Sequence, residues 1–225
     1  MLWSVAIRTV VIDGFLLSAI SSGCDTILDL GAGLDTRPYR MDLPSSLRWV
    51  EVDYPSLIQQ KEAHLHTEAT RCRVERIGLD LAERRTRQEL FDRIGASSTN
   101  ALVLTEGLVP YLIVDEAAAL ADDLHAQPTF VLWVTDYFSP LLLKYVKNRP
   151  AMNNVPIRFD PPDWDAFFAE HGWRAMEMRY LGEESLRVRR PVPVPPFVKV
   201  VRTFTSKAGR REMLRTTGCA VLARS

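Results

Sequence analysis

A glycine turn between an apolar run and the start of a helix is the feature that most constrains the fold. Residues 26–39 read TILDLGAGLDTRPY, so a short strand should end at Gly31 and a helix should follow. Asp53 stands 20 positions after Gly33, at the end of the next apolar run, LRWVEVD. In βαβ units such glycines let the backbone approach a ligand, and the later acid accepts hydrogen bonds from a ribose. The pattern predicts an α/β domain that binds an adenosine group at the ends of its strands.

The turn departs from the form that binds dinucleotides. The pattern GxGxxG would place its third glycine at position 36, where this chain has Thr36. Asp29 just before the turn and the short G-A-G suit a cofactor without a pyrophosphate. S-adenosyl-L-methionine is therefore the favoured cofactor. A dehydrogenase is an alternative, and NADH binding would support it.

Strand-like and helix-like segments alternate along the chain. Helical periodicity predicts helices over residues 3–21, 55–67, 82–94, 114–125 and 161–171. Apolar runs predict strands over residues 27–30, 47–52, 73–78, 101–105, 129–135, 173–180 and 218–223. Such alternation predicts an α/β fold, with a seven-stranded, mostly parallel sheet and helices on both faces. The last strand follows a long connection and is expected to enter antiparallel.

The length predicts one domain, and the charged residues are distributed unevenly along it. The 225 residues are expected to form a single domain over residues 1–225, with a first helix in residues 1–22. The net charge is zero, yet residues 185–215 hold nine Lys and Arg against one acid, Glu212. Residues 181–217 are therefore interpreted as a basic, solvated connection before the last strand. Within it, PVPVPP at residues 191–196 should be extended.

The apolar N-terminal stretch and the cysteines indicate where in the cell the protein is expected. Arg8 and Asp13 interrupt the stretch and no basic run precedes it, so a packed helix is predicted rather than a signal or a membrane span. The three cysteines form no CxxC pair and no His/Cys cluster. We therefore expect no metal site, no membrane partner, and a reduced, cytoplasmic protein.

Five residues near the strand ends are candidates for contact with the cofactor. Gly31, Ala32 and Gly33 would pass close to its methionine part, beside a helix N-terminus. Asp80 and Leu81, after the third strand, would meet the adenine through a carboxylate and a backbone group. A tight turn that binds nothing is the alternative for the glycines, and a helix cap is the alternative for Asp80.

Three charged residues complete the candidate cofactor site. Asp53 would accept from the ribose hydroxyls, with a helix cap as its alternative role. Glu106 follows the strand ALVLT and would hold the α-amino group of the methionine part. Arg8 would donate to the cofactor carboxylate, and its alternatives are an internal ion pair with Asp13 or a snorkelling side chain.

Motifs in fixed order resemble a known family. RTxxxD at Arg8, LGAGLDTRPYR, EVDYP, DL and TEGLVPYL resemble the leucine carboxyl methyltransferase family, and most closely its bacterial branch of polyketide O-methyltransferases. The resemblance runs from about Arg8 to about Tyr111. It implies a Rossmann-like class I methyltransferase fold, S-adenosyl-L-methionine as cofactor, and the same cofactor contacts as above. Family members usually carry a longer helical stretch before the first motif, so we expect either an unusually open acceptor side or a shortened chain.

The predicted reaction is O-methyl transfer to a carboxyl or hydroxyl group of a small, polyketide-like acceptor. A carboxylate acceptor needs no base, whereas a hydroxyl benefits from one. Tyr111, Asp136 and Tyr137 follow strands four and five and are candidates for that base, or residues of the rim. Residues 138–159, FSPLLLKYVKNRPAMNNVPIRF, are expected to wall the acceptor site or to form a plain surface helix and loop.

Two other functions remain open at the level of sequence. The basic residues 185–215 motivate an RNA methyltransferase, since backbone binding needs clustered Lys and Arg. Only Phe197 and Phe204 interleave those charges, which is few for a nucleic-acid surface. A non-catalytic module that binds S-adenosyl-L-methionine and acts through partners is the other alternative.

Overall fold

A single seven-stranded sheet organises the molecule, in a computed structural model that describes residues 2–147, 157–191 and 205–225. The strands are β1 Thr26–Leu30, β2 Arg48–Asp53, β3 Arg73–Gly78, β4 Ala101–Thr105, β5 Phe130–Phe138, β6 Trp173–Tyr180 and β7 Thr217–Arg224. Their order across the sheet is β3-β2-β1-β4-β5-β7-β6. The strands β1 to β5 pair in parallel, and β7 pairs antiparallel with both β5 and β6. The predicted antiparallel last strand is confirmed.

Helices cover both faces of the sheet. They are α1 Leu2–Ser21, α2 Arg37–Arg40, α3 Pro55–Leu65, α4 Arg84–Ala96, α5 Val114–His125, α6 Pro140–Lys147, α7 Trp164–Glu170, α8 Leu181–Arg187 and α9 Lys207–Leu214. A 3₁₀ turn spans Val109–Tyr111. The strand order reverses at β1, which lies between β2 and β4. In open α/β sheets the ligand crevice lies at such a reversal, outside the carboxyl ends of the strands.

Alternation along each strand divides the core into two layers. Leu28 and Leu30 of β1 face a layer built with α4, α5 and α7, whereas Ile27 faces a layer built with α1 and α8. In the second layer Val11 and Leu16 of α1 are fully buried. Both layers consist of large apolar side chains, so the sheet is held rigidly and its carboxyl ends are fixed in position.

The first helix packs against the sheet, as predicted. Among the described residues, α1 is the one helix that is long and apolar enough to cross a membrane by length and composition. Its inner face is buried in the second core layer, and its outer face exposes Val5, Val10 and Leu17. Cys24, Cys72 and Cys219 are buried and free.

Several predicted boundaries are corrected by tertiary contacts. The strand expected over residues 129–135 extends to Phe138, because its end pairs with β7 at Thr217. The helix expected from residue 82 begins at Arg84, since Ala82 still belongs to a turn closed by Asp80. The helix expected over residues 161–171 is the shorter α7, capped by Asp163. Residues 181–217 contain the helices α8 and α9, and residues 192–196 of PVPVPP lie outside the described residues.

Candidate active site

Two cavities meet at Gly31, at the carboxyl ends of the central strands. The first, which we call the adenosine cavity, has a volume of ≈ 570 Å³ and is lined by residues that include Asp53, Asp80, Leu81 and Leu108. The second, which we call the methionine cavity, has a volume of ≈ 400 Å³. Its lining includes Arg8, Asp29, Gly31, Ala32, Gly33, Arg37 and Glu106. The predicted cofactor residues are thus gathered around two adjoining cavities.

The glycine turn is fixed by the neighbouring strand. Gly31 and Gly33 have φ of +73° and +43°, a region that favours glycine. The backbone N–H groups of Gly31 and Ala32 donate to the carbonyl of Val52, at 2.8 and 3.2 Å. Because these donors are used inside the fold, the turn serves as a close wall of both cavities rather than as a cradle of free N–H groups.

Asp53 is tied to the glycine turn rather than to a helix end. Its Oδ2 accepts from the N–H of Gly33 at 2.7 Å, and its Oδ1 accepts from the N–H of Tyr54 at 2.7 Å. Tyr54 is the N-cap of α3, and no side chain caps that helix. The cap alternative is therefore wrong for Asp53. Asp53 lines the adenosine cavity, and each of its carboxylate oxygens has a second lone pair that could accept from a ribose hydroxyl.

The loop that carries Asp80 and Leu81 is held from below by a buried arginine. Asp80 accepts from the N–H of Ala82 at 2.9 Å, and Glu83 is the N-cap of α4, so the cap role is wrong for Asp80 as well. The Nη1 of Arg87 donates to the carbonyl of Leu81 at 2.6 Å. Arg87 is buried and lines the adenosine cavity. Sequence reasoning missed it, because it stands in a run of charged residues that reads as a solvated helix face.

Arg87 is in turn fixed by Asp123 of α5. The Nε of Arg87 donates to Oδ2 of Asp123 at 3.1 Å, and Gln88 donates to Oδ1 at 2.7 Å. Burial raises the pKa of Asp123, but these hydrogen bonds outweigh it and hold that pKa below its usual range. Asp123 thus fixes the position of Arg87, and Arg87 in turn fixes the loop at Leu81.

At the methionine cavity one carboxylate lies between two guanidinium groups. Arg8 Nε lies 2.7 Å from Glu106 Oε1, and Arg37 Nη2 lies 2.8 Å from Glu106 Oε2. Arg8 Nη1 also lies 3.5 Å from Oδ1 of Asp136. The ion pair expected for Arg8 with Asp13 does not form, because Asp13 pairs instead with Arg37 and Arg40.

Arg37 is the second functional candidate that sequence reasoning missed. Its side chain is 3% exposed and contacts Asp13 at 2.7 Å, Asp35 and Glu106. Burial lowers its pKa, but Asp35 and Glu106 outweigh burial and raise it, so the charge is permanent. The residue stands in the motif LDTRP, which is the signal that could have found it.

Asp29 supplies a further polar group to the methionine cavity. It is 2% exposed, and within the described residues its Oδ2 has no hydrogen-bond partner. Burial, followed by Asp35 and Glu51, raises the pKa of Asp29 well above its usual value. The cavity thus offers cations at Arg8 and Arg37 and acids at Asp29 and Glu106. Such a mixed lining fits the zwitterionic end of S-adenosyl-L-methionine.

The three candidate bases divide between two cavities. Tyr111 lines the adenosine cavity and is 42% exposed. Asp136 and Tyr137 line a third cavity of ≈ 210 Å³, which we call the acceptor cavity. Phe138, Leu143 and Phe159 of the stretch 138–159 also line it, whereas residues 148–156 lie outside the described residues.

Asp136 lines the acceptor cavity and also lies beside Arg8, which lines the methionine cavity. Its Oδ2 accepts from the N–H of Gly107 at 2.6 Å, and its Oδ1 faces Arg8. Burial raises the pKa of Asp136 to about 6, against the opposing effects of Arg8 and the Gly107 N–H. Gly107 has φ of +70°, so the turn after β4 needs glycine to present this N–H. Within the residues described, no group of three His, Cys, Asp or Glu could hold a metal ion.

Sequence comparisons identify relatives over most of the chain. A family model described as leucine carboxyl methyltransferase matches residues 1–125. A protein of Frankia alni is 29% identical over 197 residues, covering 84% of this chain and 69% of that protein. A protein of Streptomyces avermitilis is 29% identical over 202 residues, covering 86% and 70%. A protein of Parafrankia is 28% identical over 201 residues, covering 84% and 63%. All three are named as S-adenosyl-L-methionine-dependent methyltransferases.

Solved structures share the fold at low sequence identity. An O-methyltransferase family protein from Burkholderia thailandensis has a TM-score of 0.56 at 14% identity, over 91% of this chain and 52% of that chain. The mitomycin 7-O-methyltransferase MmcR has a TM-score of 0.52 at 12% identity, over 91% and 50%. The methyltransferase domain of bacterial CtHen1-C has a TM-score of 0.57 at 12% identity, over 98% of both chains.

The family match, the sheet order and the cavities at the strand ends agree with one another. The family model covers more than half of the 225 residues, and it includes every predicted cofactor residue. The structural neighbours have the sheet of class I methyltransferases. The chain therefore belongs to the leucine carboxyl methyltransferase family of S-adenosyl-L-methionine-dependent methyltransferases.

Proposed function

We propose that this protein transfers a methyl group from S-adenosyl-L-methionine to an oxygen of a small organic acceptor, either a carboxyl or a hydroxyl group. One observation carries the proposal: the adenosine and methionine cavities adjoin at Gly31, and Asp136, whose Oδ1 lies 3.5 Å from Nη1 of Arg8, lines the third cavity. Two adjoining cavities suit an adenosine and a methionine part, and a third cavity, linked to them through the contact between Arg8 and Asp136, suits an acceptor. The names of the relatives support the cofactor.

The chain's own residues would hold the cofactor at both ends. Asp53 would accept from the ribose, and the loop of Asp80 and Leu81 would meet the adenine. Arg8 would face the carboxylate and Glu106 the α-amino group. When bound, the cofactor supplies a methyl group on a sulfonium, whose sulfur keeps the bonding electron pair as the methyl leaves. The protein contributes mainly alignment and exclusion of water.

Asp136 is the candidate base that the geometry favours for a hydroxyl acceptor. Its carboxylate is ionised above a pKa of about 6, so near neutral pH it can accept a proton from an acceptor in the adjoining cavity. Tyr137 lines the same cavity, but burial, followed by Tyr180 and Asp165, raises its pKa. It is therefore a wall rather than a base. Tyr111 is assigned to the adenosine cavity, away from the acceptor.

The proposal does not include a nucleic-acid partner. Arg187 of the basic segment pairs with Glu184 at 2.7 Å, and Arg215 pairs with Glu183 at 2.6 Å. These acids lie just before or at the edge of the basic segment and neutralise part of its charge. A surface that binds a phosphate backbone needs its cations free to contact phosphates. The free, buried cysteines support a reducing compartment such as the cytoplasm.

Calorimetric titration with S-adenosyl-L-homocysteine tests the cofactor site. The wild-type protein and an Asp42→Ala control should bind it, because Asp42 is exposed and lines none of the three cavities. Asp53→Ala should weaken binding by about a hundredfold or more, because a bidentate ribose contact is lost. NADH, titrated in parallel, should not bind. Binding of NADH with no binding of S-adenosyl-L-homocysteine would refute the proposal.

A further inference from the structure

One buried carboxyl group of the methionine cavity has an oxygen that the fold leaves unpaired. Asp29 lies in β1, is 2% exposed and lines this cavity. Among the described residues its Oδ2 has no hydrogen-bond partner. The two oxygens of Glu106, the acid assigned to the α-amino group, lie 2.7 Å from Arg8 and 2.8 Å from Arg37. Within the described part of the chain, Glu106 is therefore already paired with cations, whereas Asp29 is not.

The neighbouring strands place a second buried acid beside Asp29. Glu51 of β2 stands opposite Asp29 in the parallel register, and Arg76 of β3 stands opposite Glu51. On the other side Asp29 stands opposite Leu104 of β4, which carries no charge. The Oε1 of Glu51 lies 2.9 Å from Nζ of the fully buried Lys61, and its Oε2 lies 2.9 Å from Nε of Arg76. These two cations therefore pair with Glu51 and leave Asp29 without an ion pair among the described residues.

Four charged groups act on Asp29 from separate segments of the chain. After burial, which has the largest effect, Asp35 of the turn after β1 and Glu51 of β2 raise the pKa of Asp29. Arg37 of α2 and Lys61 of α3 lower that pKa, but they do not outweigh burial and the two acids. A buried carboxyl without a paired cation favours its protonated, uncharged form. A cation brought into the cavity would reverse this preference, because a nearby opposite charge stabilises the carboxylate.

We propose, building on the function above, that Asp29 carries a proton in the free protein and releases it when the α-ammonium group of the cofactor enters the methionine cavity. The O–H bond of the carboxyl group breaks and its electron pair stays on the oxygen. The proton passes to water or buffer, and no other bond changes. The resulting carboxylate adds a second anion, beside Glu106, to the surroundings of the ammonium group. Binding of the cofactor and loss of the proton are then one linked equilibrium.

Calorimetric titration in two buffers measures the proton that accompanies binding. S-adenosyl-L-homocysteine carries the α-ammonium group, whereas 5′-methylthioadenosine keeps the adenosine and lacks the amino-acid part. Each ligand is titrated in phosphate and in imidazole, which differ in enthalpy of ionisation, so the difference in binding enthalpy gives the number of protons released. At one or more of about pH 6, 7 and 8, we expect S-adenosyl-L-homocysteine to release about 0.3 to 1 proton per site. The release with 5′-methylthioadenosine should be clearly smaller, because that ligand brings no ammonium group.

The dissociation constants of the wild-type protein give a second readout. Because Asp29 must lose its proton when the ammonium group binds, a lower pH should weaken binding of S-adenosyl-L-homocysteine. The ratio of its dissociation constant to that of 5′-methylthioadenosine should therefore rise by about threefold or more as the pH falls from about 8 to about 6. Asp136 would act in the opposite direction. Its carboxylate lies 3.5 Å from Arg8, and a ligand carboxylate that drew Arg8 away would favour proton uptake by Asp136.

An amide in place of the acid isolates the contribution of Asp29. Asp29→Asn keeps the size of the side chain and cannot release a proton, so it should bind S-adenosyl-L-homocysteine with proton release below about 0.1 per site. Asp42→Asn is the matched control, because Asp42 is exposed and lines none of the three cavities. This control should release protons as the wild-type protein does.

Proton release that requires both the amino-acid part of the ligand and the acid at position 29 supports the proposal. Release below about 0.3 proton at every pH overturns it, and so does equal release with 5′-methylthioadenosine or release that persists in Asp29→Asn. If Asp29→Asn does not bind, the wild-type protein decides: a ratio of dissociation constants that fails to rise toward low pH overturns the proposal. If the wild-type protein does not bind S-adenosyl-L-homocysteine at any pH, the proposed function itself is refuted.

Discussion

At the scale of single residues, Arg37 contacts more carboxylates than Arg8, the arginine that was predicted from the sequence. Its guanidinium contacts three carboxylates, those of Asp13, Asp35 and Glu106, while only 3% of the side chain is exposed. These carboxylates come from α1, from the turn after β1 and from the turn after β4. One side chain therefore fixes three separate segments around the methionine cavity.

Replacing Arg37 with methionine should destabilise the protein strongly. The change leaves three acids close together without their shared cation, and breaking a buried ion pair from one side costs roughly 3–5 kcal/mol. Urea denaturation measures the loss in free energy of unfolding. Arg40→Met is the matched control, because Arg40 also pairs with Asp13 but is 41% exposed, so its loss should cost under about 1 kcal/mol. Equal losses in both variants would contradict the assigned role of Arg37.

At the scale of elements, the contact between α4 and α5 supports the loop after β3. Arg87 of α4 donates to the carbonyl of Leu81, and Asp123 of α5 holds Arg87 in place. Arg87 lines the adenosine cavity, and Asp123 does not. They would act by fixing the backbone that meets the adenine.

Arg87→Met should weaken binding of S-adenosyl-L-homocysteine by about tenfold, because the partly buried carbonyl of Leu81 loses its donor and the loop loses its position. Arg93→Met on the same helix is the control, since Arg93 is half exposed and its guanidinium pairs with the partly exposed Glu75. Isothermal titration of both variants, after their folding is verified by circular dichroism, checks the expectation. If the two variants bind alike, the Leu81 loop does not depend on Arg87.

The sequence was informative where an element carries its own periodic pattern. The bounds of β3, β4, β6 and α5 agree with the predicted ranges, because each has an apolar run or stripe bounded by polar residues. The short helices α8 and α9 were not predicted. The helices α2 and α6 were expected without bounds, after the glycine turn and as one alternative for residues 138–159, since four to eight residues give too little periodicity. Arg37, Arg87 and Asp123 were missed for a different reason. Their burial arises only when distant segments pack together.

In the candidate site, too, some features could be predicted from the sequence and others could not. Gly31, Asp53, Asp80 and Glu106 lie at or just after the carboxyl ends of strands, so the topology of a parallel sheet brings them to one edge. Tyr111 also follows a strand, yet the 3₁₀ turn Val109–Tyr111 carries it to the adenosine cavity. Spacing along the chain predicts which edge a residue reaches. It does not predict which of the three cavities the side chain lines.

At the scale of the whole molecule, the buried carboxyl of Asp136 couples global stability to pH. Burial raises its pKa from an ordinary value of 3.8 to about 6. The folded protein therefore holds this proton more tightly than the unfolded chain does. By linkage, the contribution of Asp136 to stability is greatest below pH 3.8, falls as pH rises through about 6, and is constant above that.

Asp136→Asn should remove this part of the pH dependence. The difference in unfolding free energy between variant and wild type should shift in favour of the variant as pH rises from about 4 to about 7, by roughly 1.4 kcal/mol for each unit of pKa shift. Urea denaturation at a series of pH values measures it, and groups common to both proteins cancel in the difference. Parallel stability curves for the two proteins would show that Asp136 titrates normally.

The first helix, α1, is linked to the candidate site by ion pairs of two of its side chains. Arg8 reaches Glu106 and Asp136, and Asp13 reaches Arg37, so one face of α1 ends in the methionine cavity. A ligand that binds in that cavity should therefore also stabilise the packing of α1. A ligand in the site should thus slow the local opening of α1. The rate of hydrogen exchange at the backbone amides of this helix should then fall when the site is occupied.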